Sequence, residues 1–167
     1  MHRRYTHTLI IWVIVLLLTA CGSTKVNTAQ SRFYQSFVTR FNVYHNGNEA
    51  YKEGLSAQEK SHKDNYMEII PLFPVSKENT RSSGSGSFDK AIEKSQKAIK
   101  LHSIKQKPKK KAGRKLSEKD KLWYAKKEYN PYLHNAWMLM GKAQFQKGEF
   151  LEAASTFSYI TRLYSED

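Results

Sequence analysis

One thiol is present in the chain, Cys21. A single cysteine allows no intrachain disulfide and no multi-cysteine metal site. His45, His62, His102 and His134 show no ligand spacing with one another or with carboxylates, and each reads as a helix-surface or turn residue. Local sequence offers no Ser/His/Asp arrangement, and acidic pairs fall only on charged helix faces. No catalytic residue, metal ligand or cofactor is therefore assigned. What remains is the thiol itself and a block of cations. Lys105–Lys127 carries eleven Lys/Arg against Glu118 and Asp120, densest at Lys107-Pro108-Lys109-Lys110-Lys111. With the chain's net charge of +13, nucleic acid, an anionic membrane surface or an acidic protein are all open as partners.

The element that positions the thiol precedes it. His2, Arg3 and Arg4 form a charged start, and Leu9–Leu18 is an unbroken apolar run. That run is too short to span a bilayer, which takes about 20 residues, and reads as the core of a secretory signal. It ends in Leu18-Thr19-Ala20-Cys21, which resembles the bacterial lipobox: a branched apolar residue, two small ones, then the cysteine that becomes the mature N-terminus. The resemblance implies diacylglycerol on the Cys21 sulfur and a fatty acyl chain (palmitate) on its amine. At about 0.8 kcal/mol per buried CH₂, two or more chains anchor stably where one does not. A conventional signal peptide with a chance cysteine, or an uncleaved anchor, is the alternative. No Asp and no acidic run follows Cys21, so the expected site is the periplasmic face of the outer membrane.

Export reweights the readings of the basic block. A solvated loop between helices and contact with an anionic surface (lipid headgroups, lipopolysaccharide or an acidic partner) both stand. Nucleic acid is not expected, because the chain leaves the cytoplasm and no recognised nucleic-acid module accompanies the patch.

The clearest folding signal is Asn135–Leu163. Trp137, Met140, Gly141 and Phe145 share one helix face, and Phe150, Ala153, Phe157 and Ile160 share another. Gly148 between them suits a left-handed C-cap. Gly141 and Ala153 would let the two axes approach, with Trp137 and Phe157 filling the flanks. The spacing of Trp137, Gly141, Gly148, Ala153 and Phe157 resembles a tetratricopeptide repeat. An ordinary amphipathic hairpin in another all-α domain is the alternative. A weaker copy lies upstream, Phe88–Leu101 aligning with Phe150–Leu163 so that Phe88 matches Phe150 and Ala91 matches Ala153. Their separation exceeds the roughly 34-residue period by about the length of the basic block, which therefore reads as an insertion.

Between tether and repeat, Phe33, Phe37, Phe41 and Tyr44 form one helix face, expected to pack inward. Asn46-Gly47 predicts a turn, with Asn48 capping a helix from Glu49 to about His62 whose inward residues are Ala50, Tyr51, Gly54 and Leu55. Pro71 and Pro74 exclude a regular helix over Tyr66–Val75, expected to lie on the helices as an extended strap. Ser82–Ser87 reads as a flexible linker. Asn130-Pro131 is expected to open the next helix, Asn130 as cap.

The fold expected is all-α: tetratricopeptide-like hairpins, the start of an α-solenoid, after a lipoprotein signal peptide. Residues 1–20 are the signal, 21–30 a lipidated tether, 31–102 N-terminal helices with an interrupted first repeat, 103–127 the basic insertion and 128–167 the repeat hairpin. Arg40–Leu55, Asn65–Ser76, Asp89–Lys105 and Glu128–Tyr164 together resemble the N-terminal region of the SprE/PorW family. These are tetratricopeptide lipoproteins of the type IX secretion and gliding-motility machinery of Bacteroidetes. Family members are much longer, so the chain is expected to correspond to their front end. The resemblance implies a non-enzymatic outer-membrane scaffold that binds protein components of that machine. Only Cys21 transfers as a family site residue. Two other readings stand: a general periplasmic repeat lipoprotein that aids outer-membrane protein assembly or nutrient uptake, and an envelope hydrolase.

Overall fold

A computed structural model describes residues 26–110, 113 and 115–165. The expected signal, Cys21 with its lipobox, the first half of the tether, and Lys111 and Arg114 of the basic insertion lie outside the described residues. Among the described residues every regular element is helical and none is a strand. No helix among them is long and apolar enough to cross a membrane.

Helix α1 (Ala29–Val38) runs through a π-helical segment (Thr39–Tyr44) directly into α2 (His45–Ser61), since the residues at both junctions keep right-handed helical backbone. At 1.5 Å per residue this rod is about 50 Å long. A 3-10 turn (Pro74–Ser76) and a short α3 (Glu78–Ser82) lead into α4 (Ser85–His102). There follow α5 (Glu118–Ala125), α6 (Leu133–Lys147) and α7 (Phe150–Leu163). Helix α4 is the centre: α2 and α6 both pack on it and touch each other, and α7 packs on α6.

The rod corrects the expected turn. Asn46-Gly47 lies within helix, and Gly47 is buried because two other helices approach there. A Cβ at Gly47 would sit 3.2 Å from both Leu139 Cδ2 and Lys94 Cβ. The inward residues Ser31, Gln35, Thr39, Val43 and Gly47 are spaced strictly by four. In an α-helix of 3.6 residues per turn such a row drifts about 40° each step. The wider π turn absorbs that drift and keeps the row facing the body.

The core is built from small residues around a few large ones. Ala50, Phe88, Ala91 and Ala143 form one cluster, with Tyr51, Leu55 and Ile92 against it. Val43, Ala98, Leu133 and Ala136 form the other, with Ile99 and Trp137 against it. Small side chains let helix axes approach closely, so dispersion contacts accumulate along the whole seam. The expected inward positions Ala50, Tyr51, Gly54 and Leu55 all lie at this seam.

The same contact occurs in both hairpins. A Cβ on Gly54 would lie 2.6 Å from Phe88 Cε1, and a Cβ on Gly141 would lie 2.6 Å from Phe157 Cε1. Phe88 therefore corresponds in contact to Phe157, whereas the sequence alignment set it against Phe150. Gly84, at φ +80°, crosses the same spot, where a Cβ would meet the Gly54 carbonyl oxygen at 2.5 Å. Gly54→Ala and Gly141→Ala are each expected to destabilise by about 1–2 kcal/mol. The forced ring shift outweighs the helix-propensity gain of roughly 1 kcal/mol. Chemical denaturation midpoints check this, and a stabilised variant at either site would contradict the contact.

Three further expectations are revised. The expected linker is shorter: after Gly84, Ser85-Gly86-Ser87 already forms the first turn of α4. The Tyr66–Val75 strap has no regular α-helix, but it does not lie on the body. Met67, Ile69 and Leu72 project into solvent, Ile69 being 96% exposed, while Val75 is buried. Finally, Asn130 is not the helix cap. Helix α6 starts three residues later, at Leu133, and Asn130 instead ties the preceding turn by accepting from the Tyr132 N–H at 3.0 Å.

Candidate interaction surface

The residues that sequence singled out in the hairpin come together. Gly141 and Ala153 are buried, and the Phe157 ring lies on Gly141. Trp137 packs against Tyr159 with the rings tilted by 42° and their centroids 4.7 Å apart. Gly148 ends α6 at φ +89° and donates its N–H within the last turn. These are packing roles. Chemistry would have to come from elsewhere.

Helix α1 is inside-out. Its body-facing residues Ser31, Gln35 and Thr39 are polar. Of the face expected to pack inward, Phe33 and Phe37, and Phe41 in the π segment that continues the helix, face solvent instead at 72%, 52% and 57% exposure, while Tyr44 is half-buried with its ring edge-on to Tyr132. The three rings form a ladder, with centroids 6.2 Å apart for Phe33–Phe37 and 4.8 Å for Phe37–Phe41. Hydrogen bonds hold the other side. His102 Nδ1 lies 2.5 Å from Gln35 Oε1, and Asn130 Nδ2 donates to Thr39 Oγ1 at 3.1 Å. Thr39 in turn donates to the Gln35 carbonyl at 2.6 Å, the contact around which the π segment forms. Buried polar groups that find partners fix orientation sharply, because any rotation of the helix would orphan them. Polar specificity thus overrides the apolar pattern that sequence alone displays.

His102 makes that attachment sensitive to acid. Burial, and then the nearby Lys97 charge, hold its imidazole below the ordinary range. The unfolded chain therefore takes up the proton more readily than the fold. The contribution is complete above the unfolded value, about 6.5, and is lost as pH falls from there toward the lower folded value. The thermal midpoint should fall more steeply below pH 6.5 in the parent than in His102→Gln; parallel curves would refute the linkage.

The neck of the basic insertion is closed by one carboxylate. Buried Glu128 accepts from the backbone N–H groups of Ile104 at 2.8 Å, Tyr129 at 3.0 Å and Asn130 at 2.9 Å, and from the Ser103 hydroxyl. The Tyr129 N–H also donates to the Ile104 carbonyl at 3.0 Å. Within the insertion, Ser117 and Asp120 form a reciprocal capping box that starts α5. The Ser-x-x-Asp spacing is a legible helix-start signal that the charge density of the block masked. Helix α5 delivers Trp123 beneath the Arg32 guanidinium, 5.2 Å from the ring centroid. Asn27 Nδ2 donates to the Gln106 carbonyl at 2.7 Å. Two contacts thus tie the basic insertion to the start of α1.

Between α1, α5, α6 and α7 these contacts leave an open groove of about 660 Å³. Phe33, Trp123, Tyr129, Met138 and Ile160 supply apolar walls, with Arg32 and Lys126 as cations. Tyr164 also lines it. Its hydroxyl is buried with no hydrogen-bond partner among the described residues, and burial followed by the Glu128 and Tyr159 charges pushes its phenol well above the usual range. Phe33 belongs to both groove and ladder, so the two make one continuous surface. Such a surface can bind and position a partner. Among the described residues no group of His, Cys, Asp and Glu is arranged to hold a metal ion.

Scanned against protein-family models, the chain matches none, and no curated protein matches it.

Proposed function

We propose that this chain is a non-enzymatic scaffold, held on the periplasmic face of the outer membrane by lipid on Cys21 and binding envelope proteins through tetratricopeptide-like hairpins. The observation that carries the repeat reading is the recurrence of one contact, a phenylalanine ring seated on a helix glycine, at Gly54–Phe88 and again at Gly141–Phe157. Alternation of α2, α4, α6 and α7, each packed on the next, agrees with stacked hairpins. The interrupted first repeat is then α2 with α4, and the second α6 with α7. The machine is proposed to be that of type IX secretion and gliding motility, on the resemblance of the four sequence stretches to SprE/PorW lipoproteins. The lipobox and the signal support the location. The aromatic groove, rimmed by cations, suits binding rather than turnover.

In-cell crosslinking of the tagged, full-length protein tests this, with Cys21→Ser beside it and mass spectrometry of what is captured. Motor, ring and translocon proteins of a secretion machine are expected, and are expected to be lost in Cys21→Ser. Capture of assembly factors, transport receptors or glycan enzymes alone would overturn the reading in favour of a general periplasmic repeat lipoprotein. Release of peptidoglycan fragments by the purified protein would instead reveal a hydrolase.

A further inference from the structure

Among the described residues, the aromatic ladder of α1 and the π segment after it is more than half exposed, and three features bear on what covers it. The first is reach. Only Gly22 to Thr28 separates Cys21 from the start of α1. At about 3.4 Å per extended residue that tether keeps the start of α1 within roughly 27 Å of the thiol, and at about 1.5 Å per helical residue it keeps the near end of the ladder, Phe33, within roughly 35 Å. The second is charge. No acidic residue occurs before Glu49. Arg32 and Arg40 flank the ladder, Arg40 lying 5.0 Å from the Phe41 ring centroid. The third is the basic insertion, which packs beside the start of this same helix through Asn27–Gln106 and Arg32–Trp123.

We propose that α1 lies on the lipid surface, with Phe33, Phe37 and Phe41 inserted among anionic headgroups. Arg32, Arg40 and the exposed lysines of the insertion meet the phosphates. Aromatic rings with neighbouring cations are what an interfacial helix presents to a leaflet. The polar face, which in most interfacial helices meets water, here meets the body through Gln35 and Thr39. The helix thereby orients the whole hairpin stack relative to the membrane, where a flexible tether would leave it free to tumble. The inference rests on the lipid-anchored reading for its proximity term.

The test is photo-crosslinking in cells of the full-length protein carrying p-benzoylphenylalanine in place of Phe37. A parallel protein carries it in place of Leu151, an apolar site on α7 that is more exposed than Phe37. Mass spectrometry of the mature N-terminal peptide reads lipidation separately. A phospholipid adduct at position 37 and none at position 151 is the expected result. A protein adduct at position 37, whether a second copy or another chain, would overturn the inference, as would the absence of any adduct. If the N-terminus is lipidated and position 37 captures no lipid, the ladder inference fails while the anchor stands. If the N-terminus is unmodified and position 37 still captures lipid, the anchor fails and the ladder stands.

Discussion

Phe88→Ala is expected to lower the unfolding free energy by about 3–5 kcal/mol, the range for a fully buried Phe truncated in a packed core. Phe88 is 0% exposed. Its ring lies on Gly54, stands 5.8 Å from the Tyr51 ring centroid, and belongs to the cluster that joins α2, α4 and α6. The cavity cannot collapse easily, because Gly54 and Gly84 already bring the backbones close and the glycines themselves have no side chain to move in. Phe150→Ala is the internal control. That ring is 42% exposed and lies against Phe145 and the Arg81 side chain, so a loss of at most about 1 kcal/mol is expected. Denaturant titration of both variants decides the matter. Equal losses would restore the alignment of Phe88 with Phe150 and remove the contact-based pairing with Phe157.

Glu128→Ala is expected to cost about 2–4 kcal/mol, because it strips a charged acceptor from several buried donors at once. The backbone N–H groups of Ile104 and Asn130 would lose their acceptor, and that of Tyr129 would keep only the Ile104 carbonyl. Glu128→Gln keeps one acceptor oxygen and should lose roughly half as much. Faster amide exchange at Ile104 and Asn130 should accompany either change, since both sides of the insertion's neck depend on the one carboxylate. An unchanged melting temperature in Glu128→Ala, with unchanged exchange, would show that the neck is closed by other means.

The hairpin Leu133–Leu163 was legible because its signals are local. Apolar spacing defines the helix faces, and Gly148 has the only kind of backbone that enters φ +89° cheaply. The all-helical class, the inward set around Gly54 and the absence of a regular α-helix over Tyr66–Val75 follow from the same local physics. Tertiary structure decided the rest, wherever two local signals conflicted or the partner lay far along the chain. Gly47 carries a turn signal, yet it is a point of close approach to Leu139 and Lys94, residues that meet it only in the folded chain. Phe33, Phe37 and Phe41 carry a burial signal, yet Gln35 and Thr39 hold the opposite face inward through His102 and Asn130. A buried hydrogen bond is directional and its loss is costly, whereas apolar surface can be covered by any neighbour. Sequence by itself therefore determined which residues form helices. Only the assembled structure decided which faces those helices turn to one another.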